Sequence, residues 1–171
     1  MGKTIGRLCT AIDHFTEWTG QVVKWLALVL MAVMVYEVVA RYVFNRPTVW
    51  AFDLSYMVGG SMMLLGAGYV LLHNGHVRVD LFYHKFKPRV KSSVDAVFSV
   101  VYFFPVHLVL LTYAFRYASR AFLTGETSGV GIWEPSIFPF RLAVLIGFLL
   151  FLLQGVSWWL RSVRGALGRE E

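Results

Sequence analysis

The sequence predicts an all-α integral membrane protein: four transmembrane helices with short amphipathic surface helices, both termini cytoplasmic. Three observations predict it. Uncharged apolar runs occupy Leu54–Leu72, Ala96–Phe115 and Leu142–Leu160, each 19 or 20 residues, which at about 1.5 Å per residue crosses the roughly 30 Å hydrocarbon core of a bilayer. A fourth run, Trp25–Phe44, is as long but carries Glu37 and Arg41. Hydrophobic residues form 57% of the 171-residue chain and charged ones 15%, far from the balance of a water-soluble domain.

Basic residues set the orientation. Eleven fall before the first run, between the second and third, or after the fourth: Lys3, Arg7, Lys24, Arg78, Lys85, Lys87, Arg89, Lys91, Arg161, Arg164 and Arg169. Only Arg41, Arg46, Arg116, Arg120 and Arg141 fall on the other side. Positive charge is retained on the cytoplasmic face. The net charge of +6 therefore reads as an orientation signal, and no nucleic-acid partner is expected. The single cysteine, Cys9, excludes an intramolecular disulfide. The first apolar run starts too late for an ordinary secretory signal and lacks a small-residue cleavage site.

The chain reads as one membrane domain over residues 1–171, with spans at about 22–44, 53–72, 92–118 and 138–160. Ahead of span one, Ile5, Leu8, Ile12 and Phe15 recur at helical spacing over about 4–18, giving either a surface helix or an extension of the span. Asn45-Arg46-Pro47 is a turn signal, with Trp50 at the outer headgroup level. Span two is rich in small residues, and Ser55, Gly59 and Gly66 fall near one helical face. Such a face admits close approach of another helix in lipid, from this chain or another.

A second amphipathic segment is expected at about 80–87, capped by Asp80. Pro88 either ends it or opens span three. Pro105 should kink span three, whose helix continues past Arg116 and Arg120 toward Leu123. The polar stretch Thr124–Gly131 reads as a loop, and Trp133-Glu134-Pro135 leads back to the outer surface.

Ionisable residues inside a span are candidates for function because inserting one costs about 2.5–3.5 kcal/mol. Glu37 lies one turn before Arg41, so the two can pair. The pair serves either as a structural ion pair or as part of a proton relay, for which no other span supplies an acid at comparable depth. Asp53 and Asp95 read as interfacial caps. His107 lies near mid-span with no second histidine at matching depth, which disfavours a haem site. No nucleotide loop, zinc motif or catalytic constellation is present, and no span carries a polar stripe along its length. A non-enzymatic membrane subunit serving another protein, without cofactor, is what remains.

Specific residues sharpen this reading. Glu37-Val-Val-Ala-Arg41-Tyr42-Val-Phe44 followed by Trp50-Ala-Phe-Asp53-Leu54-Ser55 resembles the first two helices of the small membrane subunit of tripartite ATP-independent periplasmic (TRAP) transporters. Gly75-His-Val-Arg78-Val-Asp80-Leu81 is similar to that family's signature after helix two, and Gly147-Phe-Leu-Leu with Gln154 resembles its last helix. Phe52 stands where the family often has the first acid of an acidic pair.

The resemblance implies a bacterial inner-membrane subunit beside a larger membrane subunit, with a periplasmic substrate-binding protein delivering an organic acid for sodium-driven uptake. This chain would brace the scaffold and hold neither the substrate nor the sodium site. Candidate structural or partner-contact residues are Glu37, Arg41, Trp50, Asp53, Ser55, Gly59, Gly66, Arg78, Asp80, Trp133, Glu134 and Gln154, with membrane lipid as a further partner. The rival readings are a haem- or quinone-associated anchor of a redox complex, marked by a haem absorbance band, and a small self-sufficient channel, marked by flux without a partner.

Overall fold

The computed structural model describes residues 2–73 and 88–167. Among the described residues five α-helical segments form a bundle: α1 (Gly2–Tyr42), α2 (Ala51–Leu72), α3 (Pro88–Phe98), α4 (Phe104–Thr124) and α5 (Phe138–Ala166). A five-residue π segment, Ser99–Phe103, joins α3 to α4. Among the described residues, four helices are long and apolar enough to cross a membrane: Gly6–Tyr42, Ala51–Leu72, Val90–Thr124 and Phe138–Ala166. Arg78, Asp80 and the expected amphipathic segment 80–87 lie outside the described residues.

α1 runs unbroken for 41 residues, so the amphipathic N-terminal stretch extends span one. Pro88 opens α3, where its missing N–H costs no helical bond. Pro105 is at the start of α4. It offers no N–H to the preceding turn, and its ring crowds the carbonyl four residues back. The helix answers by widening just before it, so that the Phe104 N–H reaches the Ser99 carbonyl, five residues back. At its far end α4 stops at Gly125, whose φ of 64° is the left-handed conformation that lets a helix end.

The helices pack through small residues, as a bundle in lipid requires, because apolar side chains gain little from leaving lipid for one another. α5 contacts each of the other helices, and α2 packs against both α1 and α5. The face of Ser55, Gly59 and Gly66 turns to α1 of the same chain. Ser55 meets Met34, Gly59 Leu30, Gly66 Val23, and Tyr69 covers Gly20. An advance of 4, 7 and 3 residues along α2 is matched by the same retreat along α1, the mark of an antiparallel pair in fixed register.

The closest backbone approach is on another face of α2. A Cβ on Gly147 would lie 2.8 Å from the carbonyl carbon of Leu64. A glycine there lets α5 lie directly on the α2 backbone. Large apolar side chains of α1, including Trp18, Trp25 and Met31, are more than half exposed. That is the outward pattern of a helix solvated by lipid rather than water.

Candidate functional site

Polar groups are tied together at both ends of the bundle, and the end opposite the termini holds most of the candidate residues. Glu37, in the last turns of α1, accepts Arg41 Nε at 2.9 Å and pairs with Arg41 Nη2 at 2.5 Å. Its second oxygen accepts the Thr48 backbone N–H at 3.0 Å and the Thr48 hydroxyl. One carboxylate thus closes the α1–α2 turn, in which Asn45 takes a left-handed φ of 51°. Trp50 precedes α2 and packs its ring 5.6 Å from that of Tyr36. Met34, Glu37, Arg41, Thr48, Ser55 and Tyr56 are among the residues lining a cleft of about 600 Å³ here.

Asp53 departs from the expectation of an interfacial cap. It lies in the first turn of α2, yet its side chain makes no bond to that helix start. It is fully buried, and Oδ1 accepts the Ser128 hydroxyl at 2.7 Å and the Gly131 N–H at 3.1 Å. A buried carboxylate needs donors, and the nearest ones belong to the loop between α4 and α5. Gly131 presses against it so closely that a Cβ there would overlap the carboxylate. Asp95 likewise is no cap, since it sits seven residues inside α3, which begins at Pro88.

The loop is structured by its own backbone. Thr127 and Ser136 form a β-bridge, Ser128 N–H donates to the Pro135 carbonyl at 2.8 Å, and Ile137 N–H to the Glu126 carbonyl at 3.0 Å. Glu126 pairs with Arg120 Nε at 2.8 Å and with Arg141, tying the end of α4 to the start of α5. Trp133 is half exposed, and Glu134 takes a left-handed φ of 47° directly before Pro135, a conformation held by the surrounding loop.

At the end that carries the termini, Gln154 is 2% exposed. It accepts the Thr16 hydroxyl at 2.9 Å and donates to Asp13 at 3.0 Å. Ser157 adds a hydroxyl to Asp13 at 3.1 Å, and Arg161 pairs with the other Asp13 oxygen. The sequence reading singled out Gln154 but missed Asp13, Thr16 and Ser157 as its company. A signal existed: Gln154, Ser157 and Arg161 recur at helical spacing on the last span, and Asp13 and Thr16 are three apart. It missed Ser128, Gly131, Glu126 and Arg141 too, for which only the fold supplies the connection.

Glu37, Arg41, Asp53 and Gln154 thus bond across turns or between helices, and Ser55, Gly59 and Gly66 lie in the α1–α2 contact. Among the described residues no group of three His, Cys, Asp or Glu side chains is placed to hold a metal ion. The class defined by this arrangement is a multi-pass helical membrane protein with a buried polar cluster tying the helices together at each end. The family model for the DctQ component of tripartite ATP-independent periplasmic transporters matches residues 30–165, from the middle of span one almost to the end of α5. The chain belongs to that family: it is a small membrane subunit of a TRAP transporter. No curated protein matches it.

Proposed function

We propose that this subunit braces the scaffold of a larger TRAP permease subunit during sodium-driven uptake of an organic acid delivered by a periplasmic binding protein. Both termini face the cytoplasm of a bacterium, and the loop of Ser128 and Gly131, with Asp53 at the start of α2, faces the periplasm. The observation that carries this reading is the match to the DctQ component family over residues 30–165.

The geometry supports a static role. Each end of the bundle is tied by a carboxylate with several partners, Asp53 at one end and Asp13 at the other. A carrier that shifts one domain across the bilayer needs the remainder held still, and fixed helix ends with a glycine-mediated contact between α2 and α5 suit that purpose. Trp133, Glu134 and Pro135 stand on the loop where a periplasmic partner would meet the membrane unit.

The test is co-expression with the large subunit and reconstitution into vesicles. The two membrane subunits should purify together, and uptake should need both of them, the binding protein and an inward sodium gradient. Solute movement by this chain alone, or a haem absorbance band in the purified protein, would overturn the reading.

A further inference from the structure

The π segment does more than accommodate Pro105. His107 is twelve residues beyond Asp95, and in an uninterrupted α-helix at about 100° per residue it would face about 120° away from it. A π turn is equivalent to roughly one inserted residue, which swings His107 back to within about 20° of Asp95. Asp95, Ser99, Tyr102 and His107 consequently line one groove of about 450 Å³, walled on its other side by Phe151 and Trp158 of α5. From Asp95 to His107 the groove runs along the helix for about 18 Å. Its inner limit, His107, is midway along the Val90–Thr124 span.

His107 is held in one orientation. Its Nδ1 lies 2.9 Å from the Phe103 carbonyl, which can only accept, so Nδ1 carries a proton, and the tautomer this selects offers Nε2 as an acceptor. The ring is stacked on Phe103 with centroids 4.1 Å apart and tilted against Phe151 at 4.8 Å. Nε2 has no hydrogen-bond partner among the described residues. Beside it Tyr102 and Val106 are more than half exposed.

We infer that this groove is a docking socket for a transmembrane helix of the large TRAP subunit, one that presents an O–H or N–H donor to His107 Nε2 at the bilayer centre. The inference rests on the proposed partnership with that subunit. Depth selects the occupant. Lipid headgroups with donors stop about 15 Å from the midplane, acyl chains have none, and water is scarce there. A side chain on a neighbouring helix brings a donor to that depth on an apolar body, the arrangement by which polar groups join helices in lipid.

The experiment co-expresses this chain with the large subunit and measures recovery of the two-subunit complex after detergent extraction, for wild type, His107→Leu and His107→Gln. His107→Leu should weaken association by about 3- to 30-fold, the range of one interhelical hydrogen bond. His107→Gln, which keeps an acceptor near the Nε2 position, should restore most of it. Thermal unfolding of the isolated chain should be the same for all three. A photocrosslinking residue in place of Tyr102 should label the large subunit. Wild-type complex whose recovery His107→Leu leaves unchanged, an equal loss of stability in the isolated chain, or a Tyr102 crosslink only to lipid or a quinone would each overturn the socket. Failure of wild type itself to recover any large subunit would overturn the functional reading and the socket together.

Discussion

Asp53 and Gly131, 78 positions apart in the chain, are joined by a 3.1 Å hydrogen bond from the glycine N–H to the buried carboxylate. With the Ser128 hydroxyl on the same oxygen, this contact fastens the loop between α4 and α5 to the start of α2. Replacing Asp53 with Ala should strand both donors and cost about 1–3 kcal/mol. Thermal unfolding in detergent would show the loss, and limited proteolysis should cut the 125–137 loop faster. Gly131→Ala should act in the same direction, because its Cβ overlaps the carboxylate. An Asp53→Ala protein with unchanged unfolding and cleavage would refute the clasp.

Gln154 is the bridge at the opposite end, accepting from Thr16 and donating to Asp13. Gln154→Leu preserves bulk but leaves a buried hydroxyl without its acceptor. The expected loss is about 1–3 kcal/mol, measured by denaturation in detergent. Combined with Asp13→Ala, the loss should be less than the sum of the two single changes, because both remove the Gln154–Asp13 bond.

The α2–α5 contact distinguishes glycines that the sequence makes look alike. Gly147→Ala places a methyl 2.8 Å from backbone carbon of Leu64, which cannot rotate away, so the helices must separate at a cost of about 1–3 kcal/mol. Gly66→Ala meets only Val23, at 3.9 Å, an ordinary contact, and should change stability by less than about 0.5 kcal/mol. Equal effects of the two substitutions in a thermal-shift assay would contradict this packing.

Glu37 holds Arg41 on its own helix and Thr48 across the turn. Glu37→Ala should loosen the α1–α2 turn and lower recovery of the complex with the large subunit and its uptake, leaving the isolated binding protein unaffected. Glu37→Gln retains an acceptor for Thr48 and should lose less. Complex and uptake at wild-type level in Glu37→Ala would remove Glu37 from the list of residues that matter.

Pairs within one helix or across one turn were open to sequence reasoning. Glu37 and Arg41 are four apart on one helix, and backbone geometry puts such residues on one face. Asn45-Arg46-Pro47 announced its turn through residues that tolerate or impose special backbone angles. Asp53 was misread for the opposite reason. An acid at a helix start suggests a cap, and nothing local reveals that Ser128 and Gly131 will be folded against it. A uniform helical period would set His107 and Asp95 on different faces. The added residue of the π turn changed that phase, and Pro105 marked the place without stating its consequence.

The sequence by itself determined that four segments are long and apolar enough to cross a membrane and which family the chain resembles, because the thickness of a bilayer and the cost of burying charge act on each segment separately. Only the tertiary structure decided that the Ser55–Gly59–Gly66 face belongs to α1, that Gly147 carries the tight approach to α2, and that Asp53 and Asp13 lock opposite ends. Those outcomes depend on helix phase and on contacts between distant segments. In lipid they are selected by close packing and by the need of each buried polar group for a partner, which no single segment encodes alone.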